Sequence, residues 1–196
     1  MFRVGITGGI GSGKTTVCNF FELLNIPIFY ADIEAKKLIN EDAFLKSELK
    51  NEFGNEIYFA DGRINKDIFA KIIFSNKENL QKSNSIIHPV VQKCYEIWCN
   101  KYSKYKYTLK EAAILFESGS YKQMDYIITV VSPIEQRIEN ISRRDNLTKE
   151  MILKKINNQL SDDLKINISD FVIYNDKNRL LIPQILEINY SLNNSE

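Results

Sequence analysis

The sequence lacks several features that would assign it to a specialised class of protein. It has no run of about 18 apolar residues, which excludes a transmembrane helix by length. The first residues carry no basic leader and no cleavage site, so we expect a cytoplasmic protein without a targeting segment. Three cysteines at irregular spacing do not predict a disulfide framework, and with the single histidine, His88, they offer too few ligands for a metal site.

An excess of charge of one sign is also missing. The 26 basic and 25 acidic residues leave a formal net charge of +1, which favours neither nucleic acid nor an anionic membrane as partner. The apolar content of 44% and the length of 196 residues are typical of one α/β domain with a substantial core. The pattern does not indicate an oligomeric state.

Glycine is scarce, but the stretch 8–15 reads GGIGSGKT and fits the phosphate-binding loop. Glycines let such a loop turn with positive φ, and its N–H groups form an anion site at the start of a helix. Lys14 would reach the β- and γ-phosphates, and the Thr15 hydroxyl would bind Mg²⁺. The residues expected to bind the nucleotide are Gly9, Ile10, Gly11, Ser12, Gly13, Lys14, Thr15 and Thr16.

The rest of the sequence alternates between predicted strands and helices. Apolar segments rich in β-branched and aromatic residues predict strands at 2–7, 26–30, 107–116, 126–131 and 171–174. Helical spacing predicts helices at 13–24, 31–39, 42–52, 65–74, about 77–102 and about 179–191. This order predicts an α/β fold of the P-loop NTPase type, with a parallel five-stranded sheet and helices on both faces.

Local signals mark further helix starts. Ser132, Pro133 and Glu135 fit the N-cap, N1 and N3 positions of a helix. Thr148 is a second candidate N-cap. The His-Pro dipeptide at 88–89 interrupts the long helical stretch, and its proline fits a helix start.

Acidic residues lie at the ends of two predicted strands, where parallel sheets bind ligands. Asp32 follows the second strand, and it either accepts the proton of an acceptor hydroxyl or caps a helix beginning at Ile33. Position alone favours neither interpretation. Glu117 follows the third strand and Glu111 lies within it, and each is either a ligand for Mg²⁺ or substrate or an ordinary strand-end acid.

Three of the six arginines, Arg137, Arg143 and Arg144, lie close together. The segment 143–148 joins two predicted helices. A helical lid that carries arginine and closes over ATP would supply positive charge to a phosphoryl-transfer transition state and exclude water. The alternative is a solvated charged helix face, which is favoured more for Arg137 than for Arg144.

Together these residues resemble the dephospho-CoA kinase family over most of the chain. The matching segments are 7–15, Tyr30-Ala31-Asp32, His88-Pro89, Ile114-Leu115-Phe116-Glu117, Arg144-Asp145-Asn146-Leu147-Thr148, Gln159 and Asn175. The resemblance implies transfer of the γ-phosphate of ATP to the ribose 3′-hydroxyl of dephospho-CoA, with Mg²⁺. The products would be coenzyme A and ADP, in the final step of coenzyme A synthesis.

The resemblance also implies roles for individual residues. Asp32 would be the general base on the ribose hydroxyl, and Lys14 and Arg144 would stabilise the transferred phosphate. Asn175 would lie near the adenine of ATP. Tyr30, Ala113, Asn140 and Tyr174 depart from the family pattern.

The same resemblance implies an architecture. A nucleotide-binding core would comprise 1–32, 105–139 and 169–196. A helical insertion at 33–104 would bind the acceptor, together with His88 and Glu117, and residues 140–168 would form the lid. Asn140 stands where the family often has arginine, and spacing does not decide whether Arg137 or Arg143 replaces that charge.

Three other functions fit parts of the sequence. A P-loop kinase for another small molecule would share the fold and the mechanism. A nucleotide-dependent switch is disfavoured, because Asn175-Asp176-Lys177-Asn178 lacks the order of the guanine-binding Asn-Lys-x-Asp. A nucleic-acid-dependent ATPase is disfavoured by the balanced charge and the lack of a basic stripe.

Overall fold

The computed structural model describes residues 1–145 and 147–195. Asn146, which the resemblance assigned to the lid, and Glu196 lie outside the described residues. Contacts within the chain divide it into two compact units. The first consists of Met1–Tyr30 and Tyr102–Glu196, and the second is Ala31–Lys101.

The first unit is built on a parallel sheet. Its strands are β1 (Phe2–Gly8), β2 (Ile28–Tyr30), β3 (Tyr107–Glu111), β4 (Tyr126–Val131) and β5 (Phe171–Tyr174). They lie in the order β2-β3-β1-β4-β5, and every neighbouring pair runs parallel. The predicted α/β fold with a five-stranded parallel sheet is confirmed.

The helices are, in chain order, α1 (Lys14–Leu23), α2 (Ala31–Glu41), α3 (Ala43–Phe53), α4 (Lys66–Ile73), α5 (Lys77–Lys101), α6 (Ile134–Asp145), α7 (Lys149–Asn157), α8 (Asp162–Asn167) and α9 (Leu181–Asn194). The second unit contains α2 to α5, and the others belong to the first unit. Within residues 1–145 and 147–195, none of the helices combines the length and the apolar character that crossing a membrane requires.

The core of the first unit lies between the sheet and two helices. Ile128 of β4 is fully buried in a cluster with Phe21 of α1 and Leu192 of α9. On the opposite face of β1, a side chain added at Gly5 would overlap with Leu115, and α8 packs against β4. A parallel sheet covered on both faces explains why the strands read as continuous apolar runs.

The second unit has its own helix-on-helix core. Asp42 caps α3 by accepting the N–H of Leu45 at 2.7 Å, and Asn65 caps α4 by accepting the N–H of Ile68 at 3.3 Å. The helices α2, α3 and α4 pack against α5, and Leu45 and Tyr95 are fully buried among them. Caps and an apolar interior make this unit a compact helical insertion between β2 and β3.

The predicted third strand is too long. β3 ends at Glu111, and the chain then turns, with the N–H of Ser118 donating to the carbonyl of Ile114 at 2.9 Å. Leu115 and Phe116 are buried within this turn, and their apolar character led to the prediction of a longer strand. Glu117 therefore lies in the turn rather than directly after the strand.

Two predicted helix starts are wrong and one is confirmed. Pro89 lies inside α5, where it does not begin a helix. Ser132 does not cap α6: its hydroxyl has no hydrogen-bond partner in the described chain. The first helical bond runs from the N–H of Arg137 to the carbonyl of Pro133 at 3.0 Å. Thr148 caps α7 as predicted, with its hydroxyl accepting a backbone N–H at 3.4 Å. The short helix α8 was not predicted.

Candidate active site

The stretch 8–15 forms a tight loop between the end of β1 and the start of α1. Gly11 and Gly13 have φ values of 79° and 92°, a left-handed conformation that favours glycine. Within residues 1–145 and 147–195, no side chain caps α1, and the first N–H groups of a helix have no partner within the helix. Their partial positive charge points toward the loop and makes this end of α1 a site for an anion.

Lys14 is held against the loop. Its ammonium group donates to the carbonyl of Gly8 at 3.0 Å and to that of Gly9 at 3.4 Å, and the residue is only 9% exposed. A buried positive charge at the start of the helix adds to the attraction for phosphate. The predicted contact of Lys14 with the β- and γ-phosphates stays a prediction.

Two residues of α6 hold the next carbonyls of the loop. Nε of Arg137 donates to the carbonyl of Ile10 at 2.9 Å, and Nδ2 of Asn140 donates to that of Gly11 at 3.0 Å. Neither contact is evident from the sequence. Asn140, which departs from the family pattern, is therefore a loop contact in this structure.

Asn175 completes the series. It follows β5, its backbone N–H donates to the carbonyl of Val131 at 2.8 Å, and its side-chain Nδ2 donates to the carbonyl of Ser12 at 2.8 Å. Every carbonyl from residue 8 to residue 12 thus accepts a side-chain hydrogen bond. Because these carbonyls are engaged by the protein, the loop can present N–H groups to a ligand. The predicted adenine contact of Asn175 stays a prediction.

Two N–H groups of the predicted phosphate-binding set already donate within the protein. That of Ile10 donates to Oε1 of Gln159 at 2.8 Å, and that of Ser12 donates to the carbonyl of Gly9 at 3.1 Å. Thr15 and Thr16 are exposed in the first turn of α1. The accessible hydroxyl of Thr15 fits the predicted Mg²⁺ ligand, because Mg²⁺ takes few protein oxygens and completes its shell with phosphate and water.

Glu117 joins the turn after β3 to the segment before α8. Its Oε1 accepts the N–H of Leu160 at 2.9 Å and lies 3.7 Å from Nζ of Lys165. Lys165 is fully buried, and burial lowers its pKa, because the ammonium group loses water, while the carboxylate of Glu117 opposes the shift. The predicted role of Glu117 at the acceptor stays a prediction.

Glu111 is buried at the end of β3, opposite Ile6 of β1 and Tyr30 of β2. Its charge reaches α1: burial raises the pKa of the Cys18 thiol, and the carboxylate of Glu111 raises it further. Glu111 therefore lies close to α1, the helix that follows the phosphate loop. Its predicted part in binding Mg²⁺ or substrate stays a prediction.

The arginines of α6 have different surroundings. Arg144 is exposed and forms two hydrogen bonds to the adjacent Asp145, at 2.7 and 2.9 Å, which raise the pKa of Arg144. Arg143 is exposed and bonds to Glu139 at 2.6 Å. Among the contacts of the described residues, Arg137 is the arginine of the three that bonds to the loop. The proposed lid role of Arg144 stays a prediction.

Asp32 and His88 lie in the second unit. Asp32 is exposed in the first turn of α2, which begins at Ala31, so it lies inside the helix and does not cap one beginning at Ile33. Its carboxylate forms no hydrogen bond or ion pair with the residues that the structure describes. His88 is half-buried in α5. Their catalytic and acceptor-binding roles stay predictions.

The fold and the loop together define a P-loop NTPase. The parallel sheet with a phosphate loop between β1 and α1 is the feature that this class shares. The chain belongs to the dephospho-CoA kinase family, because the dephospho-CoA kinase family model matches residues 2–180. This family comprises kinases that transfer phosphate to an alcohol group.

Relatives of known family support this assignment. The chain is 39% identical to a dephospho-CoA kinase of Bacteroides fragilis over 186 residues, which are 95% of this chain and 90% of the relative. It is 35% identical to a dephospho-CoA kinase of Salinibacter ruber, with 90% of this chain and 89% of the relative covered. It is 37% identical to that of Fusobacterium nucleatum, with 89% and 90% covered.

Solved structures agree with the fold. The crystal structure of TT1252 from Thermus thermophilus superposes with a TM-score of 0.84 at 24% identity, covering 97% of this chain and 95% of that one. Dephospho-CoA kinase from Campylobacter jejuni has a TM-score of 0.71 at 22% identity, with 97% and 96% covered. At such identities the likeness shows the fold alone.

Proposed function

We propose that this chain transfers the γ-phosphate of ATP to the ribose 3′-hydroxyl of dephospho-CoA, giving coenzyme A and ADP, the final step of coenzyme A biosynthesis. The observation that carries the nucleotide half of this proposal is the phosphate loop, whose carbonyls from residue 8 to residue 12 are all bonded by side chains. Family membership supports the acceptor half.

ATP would bind with its phosphates on the loop. The N–H groups at the start of α1 and the ammonium of Lys14 would stabilise charge on the transferred phosphate. Thr15 would hold Mg²⁺, which neutralises charge on the β- and γ-phosphates when it is bound. Asn175 follows β5 and donates a hydrogen bond to the carbonyl of Ser12, and it would lie near the adenine of ATP.

Asp32 would accept the proton of the ribose hydroxyl as that oxygen attacks the γ-phosphate. Its exposure and its lack of partners in the described chain leave the carboxylate available to a substrate. His88 and Glu117 would contact the acceptor, and the helices between residues 33 and 104 would bind it.

The segment 140–168 would act as the lid. Arg144 is exposed and would turn from Asp145 to the transferred phosphate when ATP is bound. Closure would exclude water and prevent hydrolysis of ATP. The reaction would take place in the cytoplasm, where the free thiols of Cys18, Cys94 and Cys99 persist.

The test is ADP formation by the purified chain with ATP and Mg²⁺ against a panel of acceptors. Dephospho-CoA, adenosine, AMP and pantetheine are compared with a sample that contains no acceptor. We expect rapid ADP formation with dephospho-CoA alone, and coenzyme A as its product. Faster turnover with another acceptor would show that the chain is a kinase for that acceptor and not for dephospho-CoA. Acceptor-independent hydrolysis alone would refute the proposal.

A further inference from the structure

Both backbone polar groups of Ile10 form hydrogen bonds that lead to the segment 159–162. Its N–H donates to Oε1 of Gln159 at 2.8 Å. Its carbonyl accepts Nε of Arg137 at 2.9 Å, and Nη1 of the same guanidinium donates to Oδ2 of Asp162 at 2.8 Å. Residues 159–162 therefore fix the middle of the phosphate loop, directly through Gln159 and through Arg137.

The guanidinium of Arg137 is built into the outer wall of the loop. Arg137 is 5% exposed, and a side chain at Gly9 would overlap with its guanidinium. The backbone carbonyl of Arg137 lies against Gly11 as well. One planar group thus bonds the loop and a carboxylate at the same time, through two N–H donors at fixed angles. A lysine has one terminal nitrogen on a flexible stem and cannot reproduce that fork.

The guanidinium of Arg137 forms hydrogen bonds to the phosphate loop and to α8. Its carboxylate partner, Asp162, begins α8, and a cavity of about 400 Å³ lined by Arg137, Asp162 and Gln159 opens beside the pair. A buried arginine bonded to a loop carbonyl keeps that carbonyl away from the phosphate side. Its loss would let the peptide of Ile10 rotate and move the neighbouring N–H groups.

We propose that Arg137, oriented by Asp162, is a positioning residue for phosphoryl transfer, which sets the shape of the phosphate loop through the carbonyl of Ile10. This inference rests on the proposed function for its kinetic test, but not for its binding test. Asp162 accepts a hydrogen bond from Nη1 and so orients the guanidinium, and Gln159 holds the N–H of Ile10 on the other side of its backbone.

The experiment compares Arg137→Ala, Arg137→Lys and Asp162→Asn with the wild type. The readouts are the affinity for ATP by calorimetry, kcat, the KM of each substrate and the thermal midpoint. The matched control is Arg63→Ala, which removes an Arg–Asp pair at the surface, with the Arg63 side chain 77% exposed.

We expect Arg137→Ala to lower kcat/KM for ATP by about 10²-fold, because small displacements of a positioned phosphate have effects of this order. The affinity for ATP should fall with it, while the KM of the acceptor stays within about twofold. Arg137→Lys should recover only part of the loss, and Asp162→Asn should lie between the two. Arg63→Ala should match the wild type in its affinity for ATP.

Added guanidinium gives a readout that a purely structural residue would not move. The cavity beside Arg137 admits a small cation. Millimolar guanidinium should therefore raise the activity of Arg137→Ala about tenfold, and it should not raise the activity of the Arg63→Ala control. Rescue requires a folded variant, which the thermal midpoint establishes. If Arg137→Ala does not fold, Arg137→Lys and Asp162→Asn decide by their affinity for ATP.

Unchanged ATP affinity and kcat in a folded Arg137 variant would overturn the inference. So would a uniform loss of every parameter, in parallel with the thermal midpoint and without guanidinium rescue. If the wild type binds ATP but does not phosphorylate dephospho-CoA, the proposed function fails, while the ATP affinities still decide the role of Arg137.

Discussion

The charged residues that bond to the phosphate loop or are proposed to act in catalysis fall into two groups, which differ in whether their side chains already form hydrogen bonds to that loop. Lys14 and Arg137 are buried and bonded to carbonyls of the phosphate loop. Arg144 and Asp32 are exposed, and the bonds of Arg144 in the described chain go to its neighbour Asp145. A held charge shapes the site before substrate arrives, whereas an open charge is available to the substrate itself.

This difference has an energetic consequence. Removing a buried hydrogen-bonded charge leaves its partners unsatisfied and lowers the stability of the fold. Removing an exposed charge changes stability little, since surface pairs contribute about 0–1 kcal/mol. We therefore expect the held group to affect both stability and catalysis, and the open group to affect catalysis alone.

The largest effect is expected at the open residue Asp32. Asp32→Asn should lower kcat by about 10²–10⁴-fold, because a general base contributes this much, and should leave the affinity for ATP unchanged. Its stability should fall by less than about 1 kcal/mol, the value of one charge at a helix N-terminus. Steady-state kinetics, ATP calorimetry and thermal unfolding check these outcomes. A loss of stability with normal kcat would make Asp32 a structural residue of α2.

Lys14 represents the held group. Lys14→Ala should lower kcat by about 10²–10³-fold, the loss typical of one transition-state donor, and should weaken ATP binding. Because the carbonyls of Gly8 and Gly9 lose a charged donor, the free energy of unfolding should also fall, by about 1–3 kcal/mol. Kinetics and urea unfolding of the same variant test both parts. Near-normal turnover would contradict the phosphate role.

Arg144 tests the open group a second time. Arg144→Ala should slow phosphoryl transfer by about 10²-fold, at the lower end of the range for one stabilising donor. Its thermal midpoint should stay near that of the wild type, because the pair with Asp145 is exposed. Single-turnover kinetics separate the transfer step from product release. An unchanged transfer rate would remove Arg144 from the proposed lid.

The fold was largely predictable from the sequence because its signals are local. Strands of a covered parallel sheet are apolar throughout, so five short apolar segments marked them. The exception was the end of β3, where Leu115 and Phe116 are buried by a turn. Apolar residues in a turn and in a strand look alike, because burial rather than periodicity selects them. The short helix α8 has too few residues to show a helical period.

The contacts that hold the loop were not predictable in the same way. Arg137, Asn140 and Gln159 bond to loop residues that lie 127, 129 and 149 positions away. A polar residue on a helix has the same sequence signature whether it meets water or a distant carbonyl. The motif 8–15 was evident because its glycines and Lys14 are adjacent, whereas its supports are brought together only by the tertiary fold.

The smallest effect is expected at Lys165, which is buried like the held group but lacks its hydrogen bonds. In the described chain its ammonium has no hydrogen-bond partner, and Glu117 lies 3.7 Å away. Burial lowers its pKa below the ordinary value of 10.5. Between the lowered pKa and 10.5 the unfolded chain binds more protons, so this residue makes stability rise with pH in that window.

Lys165→Met removes the titrating group, so the stability of the wild type relative to this variant should increase as the pH rises toward 10.5. Urea unfolding of both proteins at several values between about pH 8 and about pH 10 measures this difference. Lys104→Met, at an exposed lysine, is the control and should show no such increase. Parallel curves for wild type and Lys165→Met would mean that the ammonium keeps its charge in the fold. In that case Glu117 would stabilise the charged form of Lys165, as the loop carbonyls stabilise that of Lys14. Lys165 would then belong with the held group.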